Sequence, residues 1–126
     1  MGTYIDGFVF PVKTDSLKAY QKVAMAVADI WQEHGALAYQ EFVADNQHLS
    51  GTLAFHKALA AKENETVVFG WVVFASREAR DLANAKVAEG PRMAELVGPL
   101  VKGPDPIFDA SRMAYGGFKS LVELPA

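Results

Sequence analysis

Residues 65–76 read ETVVFGWVVFAS, and how this stretch is paired and covered decides the fold. Val67 to Ala75 carries no charge and is dense in β-branched and aromatic side chains, the composition of a strand rather than of a helix of that length. Successive side chains of a strand point to opposite sides. One face therefore carries Val67, Phe69, Trp71 and Val73, and the other Val68, Val72 and Phe74 around Gly70. Both faces are apolar and both need cover. The stretch predicts a central strand between two layers.

Working outward toward the N-terminus, Ala36 to Asp45 alternates with a polar admixture, which suits an edge strand. Residues 46–64 separate it from the central strand and carry no assignable pattern. Before it, Leu17, Tyr20, Val23, Ala24, Val27, Ile30, Trp31 and His34 recur at spacings of three and four, one continuous apolar stripe on a helix. Thr14 or Asp15 is placed to cap that helix, and Gly35 supplies the left-handed position that ends it. Thr3 to Val12 is a further strand, with Ile5 and Val9 on one face and Tyr4, Phe8 and Phe10 on the other. Asp6 interrupts the aromatic face, and Pro11, which cannot donate to a ladder, belongs near the end.

Toward the C-terminus, Ser76 caps a second helix running to about Glu89, with Ala79, Leu82, Ala83 and Val87 as its stripe. Arg77 and Asp81 are spaced to pair across one turn. Residues 91–97 add a helical turn or two, and 98–109, rich in proline and glycine, read as a wrapping loop. Ser111 to Leu124 is the last strand. Gly116-Gly117 inside it marks a bulge or a close backbone approach.

The order strand–helix–strand–strand–helix–strand is the ferredoxin-like α+β pattern, βαββαβ in a single domain spanning 1–126. Right-handed crossovers give a four-stranded antiparallel sheet ordered 4-1-3-2. Two helices cover only one face of such a sheet. Each large apolar side chain left in water forgoes roughly 1.5–3 kcal/mol of burial. The second face is thus expected to meet the same face of another copy, a homodimer in which two sheets form an α+β barrel.

Composition narrows the function classes. The chain has 126 residues, a formal charge of −3 and no cysteine, so disulfides, thiolate metal sites and thiol nucleophiles are excluded. No Lys/Arg cluster marks a nucleic-acid binder. No apolar run approaches the roughly 20 residues of a membrane helix, and MGTYIDGF lacks signal-peptide features. The expectation is a soluble cytoplasmic protein without nucleic-acid or membrane partners.

The segments YIDGFVFPV, WQEHGALAYQEFVAD, ETVVFGWVVFASREARDLANAKV, GPRM and DASRMAYGGFKSLVEL occur in collinear order. Together they resemble the YbaA-like family of bacterial proteins of unknown function. The specific signals are W-x-E-H-G-A-L, E-T-V-V-F-x-W and R-M-x-Y-G-G-F. That family is similar in fold to the dimeric α+β barrels, whose relatives include cofactor-free monooxygenases and haem-degrading enzymes. The resemblance implies the fold and the dimer. It supplies no catalytic residue.

Candidate site residues must therefore come from chemistry. His34, titrating near neutrality, lies on the apolar stripe. It is either a general base or axial haem ligand facing a pocket, or a histidine stabilising the helix C-terminus. Glu41 shares a face with Leu37, Tyr39 and Val43, and needs a partner if that face is inward. Asp6 poses the same question, with Arg112 on the neighbouring fourth strand as a candidate partner. Lys86 falls on the second helix's apolar arc, either desolvated as a nucleophile or anion binder, or snorkelling to water. Trp31, Trp71 and Tyr115 are candidates for the wall of an organic-ligand pocket, and Trp71 is otherwise a buried core residue. His48 and His56 lack a third ligand, so no metal site is expected. No phosphate-binding loop or nucleophile elbow is present, and no cofactor is expected.

The leading expectation is a dimer with a small-molecule pocket between sheet and helices, lined by Trp31, His34, Trp71 and Tyr115, with Lys86 a further ligand-binding candidate. The first alternative is a cofactor-independent monooxygenase-type enzyme, with His34 or Glu41 as its base. The second is an interaction module with no small-molecule site.

Overall fold

The computed structural model describes residues 2–125. Strand β1 (Tyr4–Lys13) runs into a 3-10 turn (Thr14–Ser16) and helix α1 (Leu17–Glu33). Strand β2 (Ala38–Val43), the short helix α2 (Phe55–Ala58) and strand β3 (Glu65–Phe74) follow. Helices α3 (Arg77–Glu89) and α4 (Arg92–Val101), a second 3-10 turn (Ala110–Arg112) and strand β4 (Ala114–Lys119) complete the chain. The strands pair antiparallel in the order β2-β3-β1-β4, which is the ferredoxin-like arrangement expected from the chain order.

The two most apolar strands are central and fully paired with each other, from Tyr4–Phe74 to Lys13–Glu65. Pro11 is tolerated in β1 because β4 pairs only as far as Val9–Ala114, so no ladder bond is asked of its nitrogen on that side. Both outer strands are shorter than their sequence patterns. Asp109 accepts hydrogen bonds from the Ser111 nitrogen (3.0 Å) and Oγ (2.6 Å), which folds residues 110–112 into a turn before β4 begins. Gly116 and Gly117 stay in register opposite Gly7 and Asp6, with no bulge. Their role is close approach: a Cβ on Gly117 would collide with the Tyr4 hydroxyl and lie 3.1 Å from an Arg80 nitrogen.

The helix ends obey local chemistry in part. Ser76 Oγ accepts from the Ala79 nitrogen at 3.1 Å, and Gly35 adopts φ +104° after α1. Thr14 and Asp15 do not cap α1. They form the preceding 3-10 turn, tied down by the Thr14 nitrogen donating to the Asn64 carbonyl at 3.0 Å. The expected loop at 98–109 begins late, because α4 continues through Gly98 and Pro99 to Val101. Pro99 removes a backbone donor, and Leu100 in the next position is buried.

The even-numbered side chains of β1 and β3 face the helices, and the core on that side falls into two clusters. One joins Ala36, Val72, Phe74 and Ala83, with Trp31 edge-on to Phe74; the other joins Phe10, Val12 and Val68, with Tyr20 and Phe108 edge-on to Phe10. Phe8 touches both. It lies over Gly70, where a Cβ would meet the Phe8 ring at 2.6 Å and the Gln40 carbonyl at 2.8 Å. The opposite face of the sheet presents Ile5, Val9, Phe42, Phe69, Trp71 and Phe118. Of these, Phe42, Phe69 and Phe118 are exposed, and Phe55 of α2 packs edge-on against Phe69 at one end.

Candidate functional site: a cavity between the sheet and the helices

Between the two core clusters the structure leaves a cavity of about 290 Å³. Val23, Ala24 and Val27 of α1 line it together with Phe8 and Val72 of the sheet. Met93, Val97 and Leu100 of α4 close one side, and Phe108 and Met113 close the end. Trp31 contributes to the wall, while Tyr115, more than half exposed, contributes from the edge strand β4.

Polar groups enter this apolar space at two places. On the β2 side, the Glu41 carboxylate accepts from two phenols: Tyr20 donates to Oε1, and Tyr39 donates to Oε2 at 2.5 Å. Both hydroxyls belong to residues of the cavity wall, and Glu41 lies behind them in a second recess of about 180 Å³. Burial, and then the charge of Glu41, push both phenols far above the ordinary tyrosine value. They stay protonated and keep donating.

On the β4 side, Asp6 is the buried acid, its side chain 7% exposed. Arg80 reaches it from α3, donating through Nη1 at 3.1 Å, and also donates to the hydroxyls of Tyr4 (2.9 Å) and Tyr115 (3.2 Å). The guanidinium stacks 4.9 Å from the Tyr4 ring centroid. Burial first, then the Asp6 carboxylate, push the Tyr115 hydroxyl up. Asn84, one turn beyond Arg80 on α3, also faces the cavity.

The structure places the sequence candidates unevenly. Trp31 and Tyr115 line the cavity, and Glu41 backs it. His34 does not line it: its Nδ1 lies 2.8 Å from the Ile30 carbonyl oxygen, in the geometry of an intrahelical donor at the end of α1. Nor does it pair with Glu41, whose partner Tyr20 precedes His34 by fourteen positions, roughly 21 Å along the helix axis. Trp71 points to the opposite face of the sheet, half-buried rather than core, its Nε1 donating to Gln40 Oε1 at 3.1 Å. Lys86 is exposed, because the core-facing stripe of α3 runs through the half-buried Ala79 and the buried Ala83 and Val87; Leu82, one turn before Lys86, is exposed with it.

Asp6 does not pair with Arg112. Its position on β1 faces α3 and therefore Arg80. Arg112 sits at the other end of the sheet, where it grips Glu65 through two bonds of 2.6 and 2.9 Å. Tyr20, Tyr39 and Asn84 were absent from the sequence candidates. The signal for the first two was available: Tyr39 and Glu41 are two apart on one strand, so they share a face, and Tyr20 lies on the apolar stripe that covers it.

Two other hollows, each of about 590 Å³, lie at the protein surface. One is lined by Lys13, Asp105, Glu65 and Arg112, whose charges are already paired with one another. Among the described residues no group of three or more His, Cys, Asp or Glu is placed to hold a metal ion. No helix among them is long and apolar enough to cross a membrane.

Comparison with known proteins gives a family and a fold. The model of a family described as "Protein of unknown function (DUF1428)" matches residues 3–102. The chain is 40% identical over 120 residues to "Uncharacterized protein YbaA" of Escherichia coli K12, covering 95% of this chain and 97% of that protein. Among solved structures, a nipsnap family protein of unknown function from Agrobacterium tumefaciens aligns with a TM-score of 0.55 at 16% identity, over 94% of this chain and 88% of that one. A protein from an uncultured marine organism, described as dimeric and ferredoxin-like, aligns with a TM-score of 0.42 at 12% identity, over 95% of each chain.

Proposed function

We propose that this chain, which belongs to the DUF1428 family of proteins of unknown function, is a homodimer that binds a small, largely apolar organic molecule in the cavity between sheet and helices. The observation that carries the proposal is the split core. A half-open cleft of about 290 Å³ leaves a largely apolar wall in contact with water unless something occupies it, and covering that wall is favourable. An apolar pocket with a few convergent polar groups is the usual form of a ligand site. Here those groups are Tyr20 and Tyr39 on one side and Asp6, Asn84 and Tyr115 on the other. An interaction module with no ligand would have been favoured by a core packed shut.

The test is mass spectrometry of small molecules released from the purified native protein, beside an Ala24→Trp variant in which an indole fills the cavity from α1. The expected result is a bound compound in the parent and its absence from a variant that still melts cooperatively. The same compound retained by the folded variant would place the ligand elsewhere and overturn the proposal.

A further inference from the structure

We infer that the cavity selects its ligand by charge: it takes an apolar molecule with hydrogen-bond donors, hydroxyl or amine, and rejects carboxylates and phosphates. The inference deepens the ligand binding proposed above and rests on it. Its basis is the inventory of the wall, which among the described residues contains no Lys, Arg or His.

At the β2 end each oxygen of Glu41 holds one tyrosine proton. A phenol has a single proton to give. With that proton on Glu41, the oxygens of Tyr20 and Tyr39 offer the cavity only lone pairs. Turning either proton toward a ligand would strip a donor from a part-buried carboxylate, which is costly. This end therefore accepts hydrogen bonds and does not donate them.

At the other end the cation, Arg80, is not a wall residue and is paired with Asp6. Its Nη1 points at Asp6 and Tyr115 and its Nη2 at Tyr4, while its Nε, 3.0 Å from Asp81, is buried without a hydrogen bond. Asp6 itself is a wall residue. Asn84 and Trp31 bring neutral N–H groups, which do not balance a full negative charge confined beside two carboxylates. A hydroxyl or ammonium group meets acceptors at both ends, whereas an anion meets the charge of Glu41, held by neutral phenols, at the β2 end and, among the described residues, no free cation at the other, where Arg80 is paired with Asp6.

The register fixes the span. Tyr39, Val72 and Asp6 occupy one row across β2, β3 and β1, so the two polar ends stand about two strand spacings apart, roughly 10 Å. Val72 and Phe8 form an apolar floor between them. A fused ring system with a donor-bearing arm fits that distance.

The experiment uses the neutral fluorophore N-phenyl-1-naphthylamine bound to the full chain, displaced by three probes that share one ring: tryptophol, tryptamine and indole-3-acetate. Tryptophol and tryptamine are expected to displace the dye at concentrations at least about tenfold below indole-3-acetate. Glu41→Gln, which lets a tyrosine proton turn inward, is expected to narrow that gap. Dye bound in the cavity is identified by its loss in folded Ala24→Trp protein. If the parent takes up no dye, or the variant takes it up equally, the cavity is not the ligand site and both proposals fall. If dye enters the cavity but indole-3-acetate competes as well as the other two, or the donors do not compete, ligand binding stands and the charge selection is overturned.

Discussion

Glu65 shows how much one side chain can contribute where β3 begins. Its carboxylate accepts two bonds from Arg112 and one from the Lys62 nitrogen at 2.7 Å, with only 7% of the side chain exposed. The Arg112 guanidinium, first among the causes, holds its pKa down at about 2, against an ordinary glutamate value of about 4.3. A carboxylate whose folded pKa is depressed adds stability above its unfolded pKa and loses it as pH falls toward the folded one. The linkage amounts to on the order of 2–3 kcal/mol, present at pH 6 and progressively lost between about pH 5 and pH 2. Urea melts across that range should show Glu65→Gln less stable than the parent at pH 6, with the gap closing toward pH 3. A variant whose stability falls with acid as steeply as the parent's would place the acid sensitivity elsewhere.

At the scale of elements, α3 matters more for what it positions than for what it buries. Ala83 and Val87 are its buried residues, yet Arg80 in its first turns organises Asp6, Tyr4 and Tyr115. The helix start is fixed by the Ser76 side chain accepting from Ala79. Ser76→Ala should cost about 1 kcal/mol, the usual value of an N-cap, and should speed amide exchange in the first turn of α3. Ser76→Asp should restore both, because an aspartate caps equally well and its charge suits the helix N-terminus. Equal stability of the alanine and aspartate variants would show that packing, and not the cap, sets where α3 begins.

For the whole molecule the unpaired sheet face is decisive. Its exposed aromatics, Phe42, Phe69 and Phe118, lie on three different strands, and α2 reaches only the Phe69 end. We expect sedimentation at micromolar concentration to give roughly twice the 13.7 kDa of one chain. Phe42→Lys combined with Phe118→Lys should give a folded monomer, because both side chains sit on outer strands and are more than half exposed in the single chain. A parent that sediments as a monomer at that concentration would remove the barrel.

The amino-acid sequence by itself determined the elements whose signal is local. The uncharged run of β3, the stripe of α1, the Ser76 cap and the Gly35 stop each depend on neighbours within a few positions, and the order of the strands followed from handedness. Tertiary structure alone decided which partners meet. Asp6 found Arg80 and not Arg112 because the strand register puts Arg112 at the far end of the sheet, beside Glu65. Trp71 went to the uncovered face because residues 69 and 71 share a side of β3, and periodicity does not say which side the helices will cover. Lys86 became exposed because the rotation of α3 about its axis is set by what it docks against. Gly98-Pro99 read as a chain break and became helix, in a segment whose next residue, Leu100, is buried in the tertiary structure. The cavity is the clearest case: no single residue encodes it, because its wall is drawn from strands and helices far apart in the chain.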